Sequence, residues 1–108
     1  MAEVRISSQA KADMREIGDY LSQELHNPGA ALRLIRLFQE TALRLRDFPE
    51  MGAPLLAAGK RSAAYRYLVC GSYLMFYHTE SGTVHVDRVL YGRRDYLALL
   101  FGDQLEEE

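Results

Sequence analysis

Three features of the amino-acid sequence predict an α+β fold in the order β-α-α-β-β-β, a strand and a helical hairpin packed on an antiparallel sheet. Residues 10–45 carry two apolar stripes at helical spacing, residues 62–90 carry three stretches rich in Tyr, Val, Leu and Phe, and Gly/Ser pairs separate those stretches. The length of 108 residues, with 48% hydrophobic and 26% charged, is that of one domain with one core. The boundaries expected are 1–101 for the domain and 102–108 for an acidic tail.

Val4 to Ser7 alternate apolar and polar, which predicts a short half-buried strand, and Ser7 or Ser8 then supplies a helix N-cap. Ala10, Met14, Ile17, Leu21 and Leu25 form one helical stripe, with Lys11, Arg15, Glu16, Asp19 and Glu24 on the other face. His26-Asn27-Pro28-Gly29 breaks this helix, and its proline can open the next one. The second helix buries Ala31, Ile35, Phe38, Ala42 and Leu45, widened by Leu34 and Leu37, and Phe48-Pro49 ends it. Residues 49–61, punctuated by Gly and Pro, read as a loop. Strands follow at Ser62–Val69, Tyr73–Thr79 and Thr83–Leu90, joined by turns at Gly71-Ser72 and Ser81-Gly82. Asp95–Phe101 forms a short helical or irregular end. In the middle strand Tyr73, Met75 and Tyr77 lie on one face and Leu74 and Phe76 on the other. One apolar face covers the helices and the other requires a further cover, for which a partner protein is a candidate.

The formal net charge of -2 is unevenly distributed, since Asp103, Glu106, Glu107 and Glu108 crowd the last six residues. The remainder holds 13 basic against 11 acidic groups, and Lys60 to Arg94 hold six against two. Eleven of the 13 basic residues are Arg, which suits bidentate pairing with carboxylate or phosphate. No apolar run is long enough to span a bilayer and the N-terminus lacks the pattern of a secretory signal, so a cytoplasmic protein without membrane contact is expected. Cys70 is the single cysteine, and His26, His78 and His85 have no short ligand spacing, so neither a structural metal nor a cofactor is expected.

Strict alternation places Arg88 on the core-facing side with Val84 and Val86, where a charge needs a partner. Either Arg88 forms a structural ion pair with Asp13 or Asp19 of the first helix, or it opens into a groove and binds an anionic partner. Gly92-Arg93-Arg94-Asp95 ends the last strand with two arginines on different faces. Six of the seven tyrosines lie between Tyr65 and Tyr96, interleaved with basic groups, a pattern shared by single-stranded RNA binders, tyrosine-rich sheets and protein interfaces. His78 and His85 fall on neighbouring strands, but no serine or cysteine is arranged with them for nucleophilic catalysis. The acidic groups cluster on the helices, away from the expected groove, which disfavours a paired-carboxylate mechanism.

Taken together, several motifs resemble the RelE/ParE superfamily of toxins from bacterial type II toxin-antitoxin modules, and the ParE branch in particular. They are Ala10-Lys-Ala-Asp13 leading to Ile17 and Tyr20, Asn27-Pro28 before Ala31, Phe48-Pro49 with Gly52, and Arg66 seven residues before the Tyr73-Leu-Met-Phe-Tyr77 strand. The last is Arg88-Val-Leu-Tyr-Gly-Arg-Arg-Asp95. The resemblance implies neutralisation by a cognate antitoxin whose C-terminal segment wraps the toxin, with Tyr73, Leu74, Phe76 and Tyr77 as candidate antitoxin contacts. It implies contact with operator DNA only through that antitoxin.

RelE-type members cut messenger RNA on the ribosome with basic residues and a tyrosine that neutralise and position the scissile phosphate. Aligned on that pattern, the two lysines become Tyr65 and Tyr67, the arginine becomes Leu74, and the final tyrosine becomes Leu100. Arg94 keeps its basic position, and Tyr91 stands where a histidine is common. A pI near 5.9 is low for a protein entering the decoding site. The resemblance therefore implies a ParE-type plasmid-stabilisation toxin that poisons DNA gyrase without being an enzyme, with Arg66, Tyr91, Arg93, Arg94 and Tyr96 as candidate target contacts. The alternatives are a ribosome-dependent endoribonuclease using Tyr65, Tyr67, Tyr91 and Arg94, and a degenerate member that only binds its antitoxin.

Overall fold

The first strand, β1 (Glu3–Ile6), buries Val4 and Ile6 in part, and its alternation continues only to Ser7, whose side chain starts a helix. Ser7 is extended and its hydroxyl accepts the Ala10 N–H at 2.9 Å, capping α1 (Ser8–Asp19). In the computed structural model, which describes residues 2–57 and 60–92 with backbone alone at 56, 57 and 60–64, α1 runs into a π-helical turn at Tyr20–Glu24. The expected helix to Leu25 is thus α-helical only to Asp19. The steps from Ile17 to Leu21 and Leu25 are both four, longer than an α-turn, and the wider turn absorbs that lag with a Leu25 N–H to Tyr20 carbonyl bond of 3.2 Å. Asn27 then caps α2 (Pro28–Arg44) by accepting the Ala30 N–H at 3.1 Å, with Pro28 in the first turn, where its missing donor costs nothing.

Beyond α2 the chain forms β2 (Ala53–Ala57), β3 (Lys60–Cys70), β4 (Tyr73–Glu80) and β5 (Thr83–Tyr91). The strand order is β1-β5-β4-β3-β2. Both β3–β4 and β4–β5 are antiparallel hairpins, and the second closes through Ser81 and Gly82, both at positive φ, as a two-residue hairpin turn demands. β1 joins the sheet as an edge strand parallel to β5, so the sheet is mixed rather than wholly antiparallel. The loop expected over 49–61 instead contains β2 and the start of β3. Its proline is compatible with a strand because β2 is an edge, where a missing N–H breaks no ladder, and the register shifts between Pro54 and Leu55.

Phe38, Ala42 and Leu45 of the α2 segment pack with Ala10, Met75, Tyr77, Val84, Val86 and Val89 to form the main core between hairpin and sheet. A smaller cluster, Leu55, Phe76 and Leu90 with Tyr65, Tyr67 and Leu74, lies on the opposite sheet face. Among the described residues no helix is long and apolar enough to cross a membrane.

Docking of α1 on β5 depends on a bulge. Val86 pairs with Tyr77 but Arg88 pairs with Phe76, leaving Asp87 as an extra residue. Alternation therefore breaks, and Val89, not Arg88, joins Val84 and Val86 against the helices. β1 accompanies β5 only as far as Val86, after which α1 supplies the partners for that free edge. Ser7 donates its N–H to the Val86 carbonyl at 3.0 Å and its hydroxyl to the Asp87 carbonyl at 3.0 Å. Asp13 accepts the Val89 N–H at 2.9 Å and a two-pronged contact from Arg88, Nε at 2.8 Å and Nη2 at 3.0 Å. Asp19, the other acidic residue considered for Arg88, is exposed at the end of α1. The hydrogen bond to Asp13 holds the Arg88 guanidinium above its ordinary pKa, outweighing desolvation.

Asp13→Ala leaves a buried amide and a mostly buried guanidinium without their acceptor, and a loss of about 3–5 kcal/mol is expected. Urea unfolding followed by circular dichroism measures it, and a loss below about 1 kcal/mol contradicts the structural role.

Candidate functional site

The sheet face turned away from the helices brings together most of the chemistry-bearing side chains of β3, β4 and β5. Tyr65 pairs with His78 and His78 with His85, which sits beside Arg5 of β1, so these four form one row across four strands. The Tyr65 and His78 rings are 4.9 Å apart, and His78 stacks on His85 at 4.9 Å with 14° between planes. His78 Nδ1 lies 2.6 Å from Asp87 Oδ2, and His78 Nε2 lies 3.6 Å from Glu80 Oε1. Asp87, the extra residue of the β5 bulge, makes this contact while its neighbour Arg88 bonds Asp13. Burial lifts the Asp87 carboxyl above its ordinary pKa, and the hydrogen bond from His78 offsets part of the rise. Burial likewise raises the Tyr65 hydroxyl, assisted by the charges of Asp87 and Glu80.

Beside this polar row lies the apolar cluster. Tyr67 packs on Phe76 with ring centres 6.2 Å apart, and Leu74 and Leu90 complete the patch. Phe76 has no exposed surface, and neither does Tyr77 on the helix side. Of the four candidate antitoxin contacts, the chain itself covers these two, while Leu74 and Tyr73 retain partial exposure.

Tyr73 and Tyr91 lie instead at the hairpin end of the sheet, 5.7 Å apart and edge to face. With Tyr20, Leu21, Leu25, Arg33, Leu34 and Leu37 they line an open cleft of about 770 Å³. Tyr20, Leu25 and Tyr91 are exposed there.

Arg66, expected at the target surface, is engaged within the fold. Its Nη1 donates to the Gly52 carbonyl at 2.8 Å, while the Gly52 N–H donates to the Tyr77 hydroxyl at 2.9 Å. A Cβ at Gly52 meets the Tyr67 carbonyl oxygen at 2.7 Å and the Tyr77 hydroxyl at 2.8 Å, so this position admits only glycine without movement of backbone. Arg93, Arg94 and Tyr96, and the Leu100 position, lie outside the described residues.

The described side chains of the sheet face are suited to proton transfer and metal ligation. Among the described side chains of the strands, Arg5 is bound to Glu3, Arg66 to the Gly52 carbonyl and Arg88 to Asp13. Cys70 is buried beside Thr41, and desolvation raises its thiol pKa, which leaves it an inert core residue.

The family model for the ParE toxin of the type II toxin-antitoxin system parDE matches residues 4–96. The chain belongs to the ParE toxin family. Among solved structures, this ParE-family chain is similar to one of the chromosomal ParDE toxin-antitoxin system from P. aeruginosa, with 18% identity and a TM-score of 0.68 over 84% of this chain and 96% of that one. The fold extends to YafQ from E. coli strain BL21(DE3), at 19% identity and a TM-score of 0.52, and to the E. coli DinJ-YafQ complex, at 19% and 0.53. In both cases 94% of this chain and 100% of the other are covered. Among curated protein sequences none matches.

Residue types and strand assignment signalled His78 and His85 as neighbours, but not their union with Asp87, Glu80 and Tyr65. Alternation puts Asp87 on the face of His85, but its contact with His78 across the strand pair depends on a register that the sequence does not mark.

Two outcomes follow for this ParE-family chain. Tyr77→Phe removes the acceptor of the Gly52 N–H and costs about 1 kcal/mol, whereas Gly52→Ala costs about 1–3 kcal/mol by overpacking, both read from thermal unfolding. Because folding raises the Asp87 pKa, the folded chain binds that proton more tightly than the unfolded one. This group's contribution to stability therefore falls as pH rises from the unfolded value near 3.8 through the raised folded value. Wild type compared with Asp87→Asn by urea unfolding between pH 3 and 7 shows this as a relative loss for wild type across that window; a parallel pair of curves refutes it.

Proposed function

We propose that this toxin arrests growth by binding DNA gyrase in the cytoplasm, leaving cleaved DNA unresealed, rather than by cutting messenger RNA. The observation that carries the reading is the composition of the sheet face. Tyr65, Tyr67 and Leu74 stand where the RelE-type pattern has two lysines and an arginine, and all three pack around Leu55, Phe76 and Leu90. A face so built offers a scissile phosphate little positive charge, while aromatic and apolar surface suits a protein partner. The match of the ParE model to residues 4–96 supports the same choice.

Target contacts are assigned to exposed Tyr91 at the end of β5 and to Arg93, Arg94 and Tyr96 after it. A cognate antitoxin, as in the ParDE and DinJ-YafQ assemblies, neutralises the chain, and its apolar side chains fill the cleft at Tyr73 and cover Leu74. A second reading, ribosome-dependent cleavage, is favoured by the His78–Asp87 pair, a proton-transfer group beside Tyr65.

The deciding experiment is gyrase supercoiling of relaxed plasmid with the purified chain, beside a reconstituted translation reaction, each with and without antitoxin. Cleaved or unsupercoiled plasmid with intact translation, reversed by antitoxin, is expected, with Tyr91→Ala roughly tenfold weaker as removal of an interface aromatic. Normal supercoiling with messenger cut on the ribosome overturns the proposal in favour of a site formed by Tyr65, Tyr67, Tyr91 and Arg94. No effect in either reaction and no growth arrest on expression identifies a degenerate, antitoxin-binding member.

A further inference from the structure

The row on the sheet face brings together three side chains whose ligand atoms suit one cation. Asp87 Oδ2 lies 2.6 Å from His78 Nδ1, a carboxylate–imidazole hydrogen bond that orients the ring. The other ring nitrogen, Nε2, faces Glu80 Oε1 at 3.6 Å.

The spacing of these atoms admits a metal ion. One ligand atom each from His78, Glu80 and His85 lies within 4.8 Å of the others. Zinc bound at about 2.0–2.2 Å by nitrogen and oxygen in a tetrahedron holds its ligand atoms about 3.4 Å apart, close to the 3.6 Å between His78 Nε2 and Glu80 Oε1. Behind His78 stands the carboxylate–histidine arrangement that fixes the tautomer and raises the basicity of a ligating imidazole. The nearest arginine by register, Arg5, is turned to Glu3 at 3.0 Å, so its charge is neutralised. His85 is partly exposed and stacked on His78, and its ring has to turn about its soft terminal torsion to aim a nitrogen at the ion.

We propose that His78, Glu80 and His85 bind one divalent transition-metal ion of the zinc class, with Asp87 orienting His78 and the fourth position open to solvent. Spacing along the chain conceals such a site, since only His78 and Glu80 are near in sequence and His85 arrives through the β4–β5 pairing. The site is independent of whether gyrase or the ribosome is the target.

The test uses the tag-free full chain, stripped with chelator, and Co²⁺ as a spectroscopic probe followed by Zn²⁺ competition. One equivalent of Co²⁺ giving the visible bands of a four-coordinate ion, displaced by Zn²⁺, is expected. Glu80 is exposed, so Glu80→Gln folds as wild type by circular dichroism and is expected to weaken binding at least about tenfold. His85→Gln is expected to abolish the bands, and Asp87→Asn to weaken binding by about 10- to 100-fold. Absence of a stoichiometric site in wild type, or binding unchanged in both Glu80→Gln and His85→Gln, overturns the proposal.

Discussion

The Asp13 carboxylate is the point on which helix and sheet agree. β5 loses its neighbour after Val86, and an unpartnered strand edge beneath a helix leaves buried amides that must be satisfied. Ser7 and Asp13, one turn and a half apart on the cap and second turn of α1, take the next donors and acceptors along that edge. Arg88 then neutralises the carboxylate that this arrangement buries. Besides these polar contacts α1 has a narrow apolar stripe, in which Ala10 alone is fully buried among hydrophobics, to set its position on the sheet.

The β5 bulge links this structural device to the candidate site. An unbroken ladder puts Asp87 and Arg88 on opposite faces in strict alternation and aligns Arg88 with Val84 and Val86. One extra residue instead places Val89 in the core, while Arg88 meets Asp13 of α1 and Asp87 stays on the far face against His78. A single irregularity thereby serves the docking of the hairpin and the electrostatics of the histidine pair. Bulges beside functional sites commonly have this effect of re-aiming side chains.

The two faces of the sheet differ in kind. Toward the helices, Tyr77 is a core residue whose hydroxyl is consumed by the Gly52 amide, and Arg66 closes the same loop from its carbonyl side. Away from them, tyrosines, histidines and carboxylates surround an apolar centre at Phe76 and Leu90. The cleft at Tyr73 and Tyr91 is separate from both and is framed by the π-helical turn and α2. A ParE-family chain thus presents two chemically distinct surfaces, one polar and aromatic, the other an apolar hollow.

Periodicity and capping chemistry were enough to determine the helices, the two hairpins and the opposite faces of β4, because these depend on neighbours within a few residues. Ser7, Asn27-Pro28 and Ser81-Gly82 are local signals, and local signals survive without a fold around them. The partner of Arg88 was narrowed by sequence to two aspartates, and the choice of Asp13 came only from the free edge of β5. Tertiary structure alone decided the remainder: the strand at Ala53–Ala57, concealed by Pro54 until its edge position is known; the parallel pairing of β1; and the complete burial of Phe76 and Tyr77. It also decided the gathering of Tyr65, His78, Glu80, His85 and Asp87, for a bulge and a cross-strand register are properties of paired strands and leave no periodic mark on either strand alone.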